Sequence, residues 1–162
     1  MKTLYLIRHA KSDQHTGILA DIDRPLNTRG YADAHKMSLA SKDKLLFPDA
    51  IITSPAVRAI STALIFARNI KYNTGNVAIH PALYQPSSTN YLSTISETED
   101  KINTLFLFAH NPMITNTANS LTDEVIEHIP TSGIVGISND CSNWKDFISS
   151  AGKLILFDFP KK

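Results

Sequence analysis

Residues 104–110, TLFLFAH, hold the most apolar run of the chain, with no polar side chain between Leu105 and Ala109. A strand with one wet face alternates apolar and polar residues. A run that does not alternate needs cover on both faces, which is the situation of a central strand in a parallel sheet. KTLYLI (2–7) has the same character, and DAIITS (49–54) and NVAIH (76–80) read as two further short strands. Helical signals lie between them. Asn27 is an N-cap for a helix running to about Leu46. Ser54 and Pro55 offer an N-cap and a first helical position, followed by a face of Val57, Ile60, Leu64 and Ala67. Asn111-Pro112 repeats that start signal after TLFLFAH. SGIVGIS (132–138) and GKLILFDF (152–159) read as a β pair joined through NDCSNWKDF. Strands alternating with helices predict an α/β fold, a three-layer sandwich with a mostly parallel central sheet flanked by helices.

A length of 162 residues suits one domain with one core. An apolar content of 43% against 19% charged residues predicts a packed chain rather than a disordered one. The formal net charge of +1, with no basic stretch interleaved with aromatics, leaves no footprint for nucleic acid. Cys141, the single cysteine, has no partner within the chain, which suits a reducing compartment. No apolar run approaches the length of a membrane span, and Arg8 and His9 interrupt the N-terminal run before it reaches a signal-peptide core. The expectation is a cytoplasmic protein without nucleic-acid or membrane partners. Nothing in the sequence sets an oligomeric state.

In folds of this class the ligand sits beyond the carboxyl ends of the parallel strands. The first strand ends in Arg8-His9, the second in Thr53-Ser54 with Arg58 one turn into the next helix, and the fourth in His110. Two arginines and two histidines, distant in sequence, thus share one predicted rim. Arginine presents a planar fork of donors that matches phosphate oxygens. Two helix N-termini, after Ser54 and after Asn111, favour an anion at the same rim. Histidine serves as nucleophile, acid-base group or donor near neutral pH. The set reads as a phosphoryl-transfer pocket that calls for no metal and no cofactor, with charge stabilisation carrying the catalysis.

The segments LIRHAKS, DRPLNTRG, ITSPAVRAISTA, FAHNP and PTSG follow one another in the order seen in the histidine phosphatase superfamily, and the resemblance spans nearly the whole chain. It implies a phosphoglycerate mutase-like fold in one domain, residues 1–162. It implies that His9 is a nucleophile passing through a phosphohistidine, and that Arg8, Arg58 and His110 bind the transferring phosphoryl group. The short length, the DIDRPL loop and PTSG most resemble the phosphohistidine phosphatase branch related to SixA. PTSG brings Thr131 and Ser132 near the pocket by the same resemblance, although a turn before a strand explains them equally well. Ser12 offers a hydroxyl to phosphate or is an ordinary loop serine. Arg24 touches the phosphate or holds the 10–27 loop in a salt bridge. His15, His35, His80 and His128 lack partners at metal-ligand spacing and read as surface or packing residues.

One departure bears on the substrate. Phosphoglycerate mutases and many phosphatases of this superfamily carry an acidic proton donor just after the third strand. Here that stretch is HPALYQPSS, with Gln85 where a glutamate is expected. Asp21, Asp23 and Glu97 are the candidate substitutes. An alkoxide needs a proton as it leaves, whereas imidazole leaves a phosphoimidazolium as a neutral molecule. The missing acid therefore favours P–N bonds, and the absence of a long lid insertion favours a phosphate carried on a protein. The rival readings are a phosphomonoesterase or mutase acting on a small phosphate ester, and a non-catalytic phosphate-binding module.

Overall fold

β1 (Lys2–Arg8) and β4 (Thr104–Ala109) lie side by side in parallel at the middle of a six-stranded sheet. The computed structural model describes residues 1–14 and 17–161, so His15 lies outside the described residues. β2 (Ala50–Thr53) and then β3 (Ala78–Ile79) continue the parallel part beyond β4. On the other side of β1, β5 (Ile134–Asn139) and β6 (Lys153–Asp158) run antiparallel, giving the order β3-β2-β4-β1-β5-β6.

Period two sorts the central strands onto two helical layers. Leu4, Leu6, Leu105 and Leu107 pack with α3 (Ser88–Ser96), α4 (Met113–Leu121) and α5 (Trp144–Ser149). Tyr5, Ile7, Phe106 and Phe108 pack with α1 (Thr28–Ser41) and α2 (Val57–Ile70). Each of these side chains is essentially inaccessible, and each contributes ~1.5–3 kcal/mol by transfer from water. The non-alternating runs of the sequence are therefore strands covered twice, and the fold is the expected three-layer α/β arrangement.

Several local expectations need correction. α1 stops at Ser41 rather than near Leu46: the Lys44 and Leu45 N–H groups both turn back to Ser41 O, and the Leu46 N–H donates to the Tyr5 hydroxyl at 3.2 Å. The third strand has shrunk to two exposed residues between short 3₁₀ turns. The core face of α2 is Ala59, Ala63, Phe66, Ala67 and Ile70, while Val57, Ile60 and Leu64 are only partly covered. The link between β5 and β6 contains the six-residue α5.

The N-cap expectation for α1 holds, since Asn27 Oδ1 accepts from the Gly30 N–H at 2.8 Å. Gly30 also explains why a glycine sits in that first turn. A Cβ there would lie 2.0 Å from the Lys11 carbonyl oxygen, so only glycine lets the helix start press against the segment following β1.

Candidate active site

The carboxyl ends of β1, β2 and β4 lie level, because Arg8 pairs with Ala109 and Thr53 with Phe108. Backbone bonds extend the platform by one residue. The His9 N–H donates to Ala109 O at 3.1 Å and the Ser54 N–H to Phe108 O at 3.0 Å. His9 is held from two further directions. The Ser132 N–H donates to His9 O at 3.2 Å. The Ala10 N–H donates to Thr62 Oγ1 at 2.9 Å, and that hydroxyl donates to Arg58 O at 2.7 Å.

The His9 side chain is 8% exposed. Its Nδ1 lies 2.8 Å from Ala10 O, and a carbonyl only accepts, so Nδ1 carries the proton and Nε2 keeps the lone pair. Burial first, then the neighbouring His110, Arg58 and Arg8, push the His9 pKa down to about 3, against the pull of the Ala10 carbonyl. The His110 ring stands 5.1 Å away, and burial with Arg58 lowers its pKa to about 4. Its Nε2 is 2.6 Å from Ser54 Oγ. Ser54 is thus turned to His110 and reaches only the Ala56 N–H at 3.3 Å, so α2 begins at Val57, two residues after the expected start. Asn111 likewise is no cap. Its Nδ2 donates to Ile129 O and its Oδ1 accepts from Thr115, and α4 begins at Met113.

His9 lines a cavity of about 200 Å³ together with Arg8, Lys11, Ser12, Arg24, Arg58, His110 and Thr131. Among the described residues, four cationic side chains and no carboxylate line it. Burial and the nearby Arg58 lower the Arg8 pKa, the mark of cations gathered without enough counter-charge. Arg8 Nε, Arg58 Nε, His110 Nδ1 and Ser132 Oγ are buried without hydrogen-bond partners. Three of these atoms, Arg8 Nε, Arg58 Nε and His110 Nδ1, belong to residues that line the cavity, and both arginine Nε atoms are donors. Among the described residues no three His, Cys, Asp or Glu side chains are grouped to hold a metal.

A second compartment of about 300 Å³ adjoins the first through Arg58, His110 and Asn111. Its other walls are Asp21, Tyr84, Gln85, Pro86, Tyr91, Pro112 and Met113. Asp21 is fastened there by three side chains. Arg24 Nε and Nη2 donate to Oδ1 at 3.0 and 2.9 Å, and Arg58 Nη2 and the Tyr84 hydroxyl donate to Oδ2 at 3.1 and 2.6 Å. Tyr84 first, then the two arginines, hold its carboxyl well below the usual range, while Asp21 raises the tyrosine in return.

The structure therefore brings Arg8, His9, Ser12, Arg24, Arg58, His110 and Thr131 to one cavity and places Ser132 behind it, fully buried at φ 60°. Ser12 and Arg24 are bound to each other, Arg24 Nη1 donating to Ser12 Oγ at 2.9 Å. The candidate acids fare differently. Asp21 reaches the site but is held ionised, with no proton to give near neutral pH. Asp23 is exposed and lines neither compartment. Glu97 lies in a groove beside β2, away from His9. His128 is exposed, as expected of a surface residue, and its Nε2 lies 3.2 Å from Arg8 Nη1. Tyr84 and Thr62 were not singled out from the sequence. Tyr84 adjoins Gln85, in the stretch already notable for its missing acid, and that was its only signal.

The family model of the histidine phosphatase superfamily (branch 1) matches residues 4–84. An uncharacterized protein of Mycobacterium tuberculosis is 29% identical over 170 residues, covering 96% of this chain and all of that protein. A crystal structure from Agrobacterium tumefaciens, provisionally designated a phosphohistidine phosphatase SixA, superposes with a TM-score of 0.84 at 26% identity over 99% of both chains. A mycobacterial glucosyl-3-phosphoglycerate phosphatase bound to vanadate shares the fold, with a TM-score of 0.74 at 14% identity over 99% of this chain and 100% of that one.

Proposed function

This chain belongs to the histidine phosphatase superfamily, and we propose that it is a metal-independent phosphatase using His9 as nucleophile, most suited to phosphohistidine on a protein. The observation that carries the reading is the His9 tautomer. The Ala10 carbonyl holds the proton on Nδ1, so Nε2 is an unprotonated nucleophile in a cavity lined by Arg8, Arg58 and His110.

The first step forms a bond from His9 Nε2 to phosphorus while the bond to the leaving nitrogen breaks, its electron pair returning to that nitrogen. A phosphoimidazolium substrate departs as neutral imidazole, and His9 becomes the phosphoimidazolium with Nδ1–H retained, so no proton moves. Water then attacks phosphorus, His9 Nε2 leaves with its pair, and both water hydrogens end on dihydrogen phosphate. In each step Arg8, Arg58 and His110 face the charge on the equatorial oxygens. Lys11 and Arg24 add to the positive field, and Ser12 and Thr131 stand at the edge with hydroxyls to offer.

The substrate preference follows from the acids. Among the described lining residues the only carboxylate is the ionised Asp21, so departure of an alkoxide finds no ready carboxylic proton. A phosphohistidine peptide, phosphoramidate and aryl phosphates are expected to be hydrolysed on the order of 10²-fold faster than phosphoglycerate or other alkyl phosphates, the contribution typical of general acid catalysis. The rates should be the same in EDTA. Similar rates on alkyl and aryl esters, or activity lost in EDTA and restored by a divalent ion, would overturn the reading.

The depressed histidines set a pH dependence. His9 must be neutral to attack, and with a pKa near 3 it stays neutral through the whole range in which an ordinary histidine, at about 6.5, gains its proton. NMR titration of the free protein should show His9 neutral and Nδ1-protonated down to about pH 4. The unfolded chain binds protons on both histidines below about 6.5 while the native chain does not, so their contribution to stability is complete above that value. It is lost progressively as pH falls toward 3–4. A His9 titration midpoint near 6.5 would contradict this picture.

A further inference from the structure

Arg8 and Arg58 both line the His9 cavity but are held in different ways. Arg58 is tied to a carboxylate, Asp21. Arg8 Nη1 donates to Ile129 O at 2.9 Å and to His128 Nε2 at 3.2 Å, and these are its two side-chain partners among the described residues. A guanidinium has no lone pair to offer, so His128 Nε2 is unprotonated and accepts. The other ring nitrogen, Nδ1, faces Asn111 Nδ2 at 3.2 Å. That amide is already committed to Ile129 O at 2.9 Å, and a neutral imidazole has one lone pair, which goes to the cationic donor. The segment that carries both acceptors is pinned to α4. Asn119 exchanges two bonds of 2.8 Å with the backbone of Ile126, and the Ile129 N–H donates to Thr115 Oγ1 at 3.2 Å.

We infer that His128 is a positioning residue for Arg8, an uncharged clamp that fixes the guanidinium without cancelling its charge. The inference rests on the proposed phosphatase reading, in which Arg8 binds the transferring phosphoryl group. His128 is exposed and lines neither compartment, so it acts through Arg8 and not on the substrate. Both bonds leave from Nη1, so they hold one corner of the fork, while Nε is buried without a partner and stays unused. A loose arginine side chain would give up rotamer freedom on binding, and the like charge of Arg58 repels it. Held in place beforehand, it meets the phosphoryl oxygens already oriented. A carboxylate at position 128 would also hold Nη1, but it would compete with the phosphoryl group for the charge. A carbonyl and an imidazole lone pair orient the guanidinium and leave its charge for the ligand.

Three variants separate the parts of the inference. His128→Gln presents a neutral acceptor, His128→Leu fills the space without one, and His128→Glu accepts with a negative charge. Binding of inorganic phosphate and kcat/KM on phosphoramidate are measured for each. His128→Gln should stay within about twofold of the parent protein in both, while His128→Leu should lose on the order of fivefold, a partial loss because Ile129 O still holds Nη1. His128→Glu should lose at least as much as His128→Leu. A leucine variant as good as the parent, or a glutamine variant as impaired as the leucine one, overturns the clamp. A glutamate variant as good as the parent overturns its need to be uncharged. Two-bond ¹H–¹⁵N correlation spectra in mildly alkaline solution should place the His128 proton on Nδ1, and a proton on Nε2 overturns the assignment of the acceptor. Phosphate binding weakened in His128→Leu, in a protein that forms no phosphoenzyme from any substrate, overturns the phosphatase reading and supports the clamp.

Discussion

His9→Ala is expected to lower kcat/KM on the order of 10⁴-fold or more on every phosphate substrate while the protein remains folded. The size follows from what is removed. Arg8, Arg58 and His110 can still bind a phosphoryl group, but nothing replaces the Nε2 lone pair, and loss of a nucleophile is among the largest single-residue effects known in enzymes. The fold should survive because the side chain makes one hydrogen bond, from Nδ1 to the adjacent Ala10 carbonyl, and the backbone bonds of residue 9 to Ala109 and Ser132 remain. Removal of a depressed histidine should also flatten the loss of stability between about pH 6.5 and 4. Circular dichroism and thermal melting alongside kinetics separate the two effects. A folded variant retaining turnover comparable to the parent protein would remove His9 from the mechanism.

Arg58→Ala should have the next largest effect, a loss on the order of 10²–10³-fold in kcat/KM. Arg58 is 6% exposed and lines both compartments. Its charge is only partly answered by Asp21, so a bound phosphoryl group gains both a counter-ion and relief of the repulsion between Arg58 and Arg8. Its guanidinium also fastens the 10–27 loop through two bonds to Asp21. Arg58→Lys keeps the charge but lacks the fork needed to hold Asp21 O and Oδ2 together, so most of the loss should persist. Asp21 keeps the Tyr84 hydroxyl in either variant, so the loop should remain attached. An Arg58→Ala protein within a few-fold of the parent would show that the phosphoryl group does not use this side chain.

Much of this architecture was legible in the sequence for identifiable reasons. β4 declared itself because Leu105 to Ala109 leave no polar residue to face water. Arg8, His9 and His110 were conspicuous because charged or polar groups followed such runs at once. The core face of α2 was misread because alanines fill it. Ala67 lies on that face as expected; Ala59 and Ala63 carry little hydrophobic weight, yet they let the helix lie close to the sheet. β3 was overestimated because its apolar residues are on an exposed edge. Asp21 and Asp23 were indistinguishable as letters. The 3₁₀ turn at Asp21–Asp23 gives one of them Tyr84, Arg24 and Arg58 and leaves the other in solvent. The same limit hid Tyr84, whose role depends on a partner 63 residues away.

The central claim is that His9 Nε2 takes the phosphoryl group. Rapid alkaline quench of the wild-type protein with ³²P-labelled phosphoramidate tests it most directly. The structure predicts a phosphoenzyme that is labile in acid and stable in base, the signature of a phosphorus–nitrogen bond, with the label mapped to His9. Turnover with no trapped label, or label on a base-labile, acid-stable ester at Ser12 or Thr131, would contradict it.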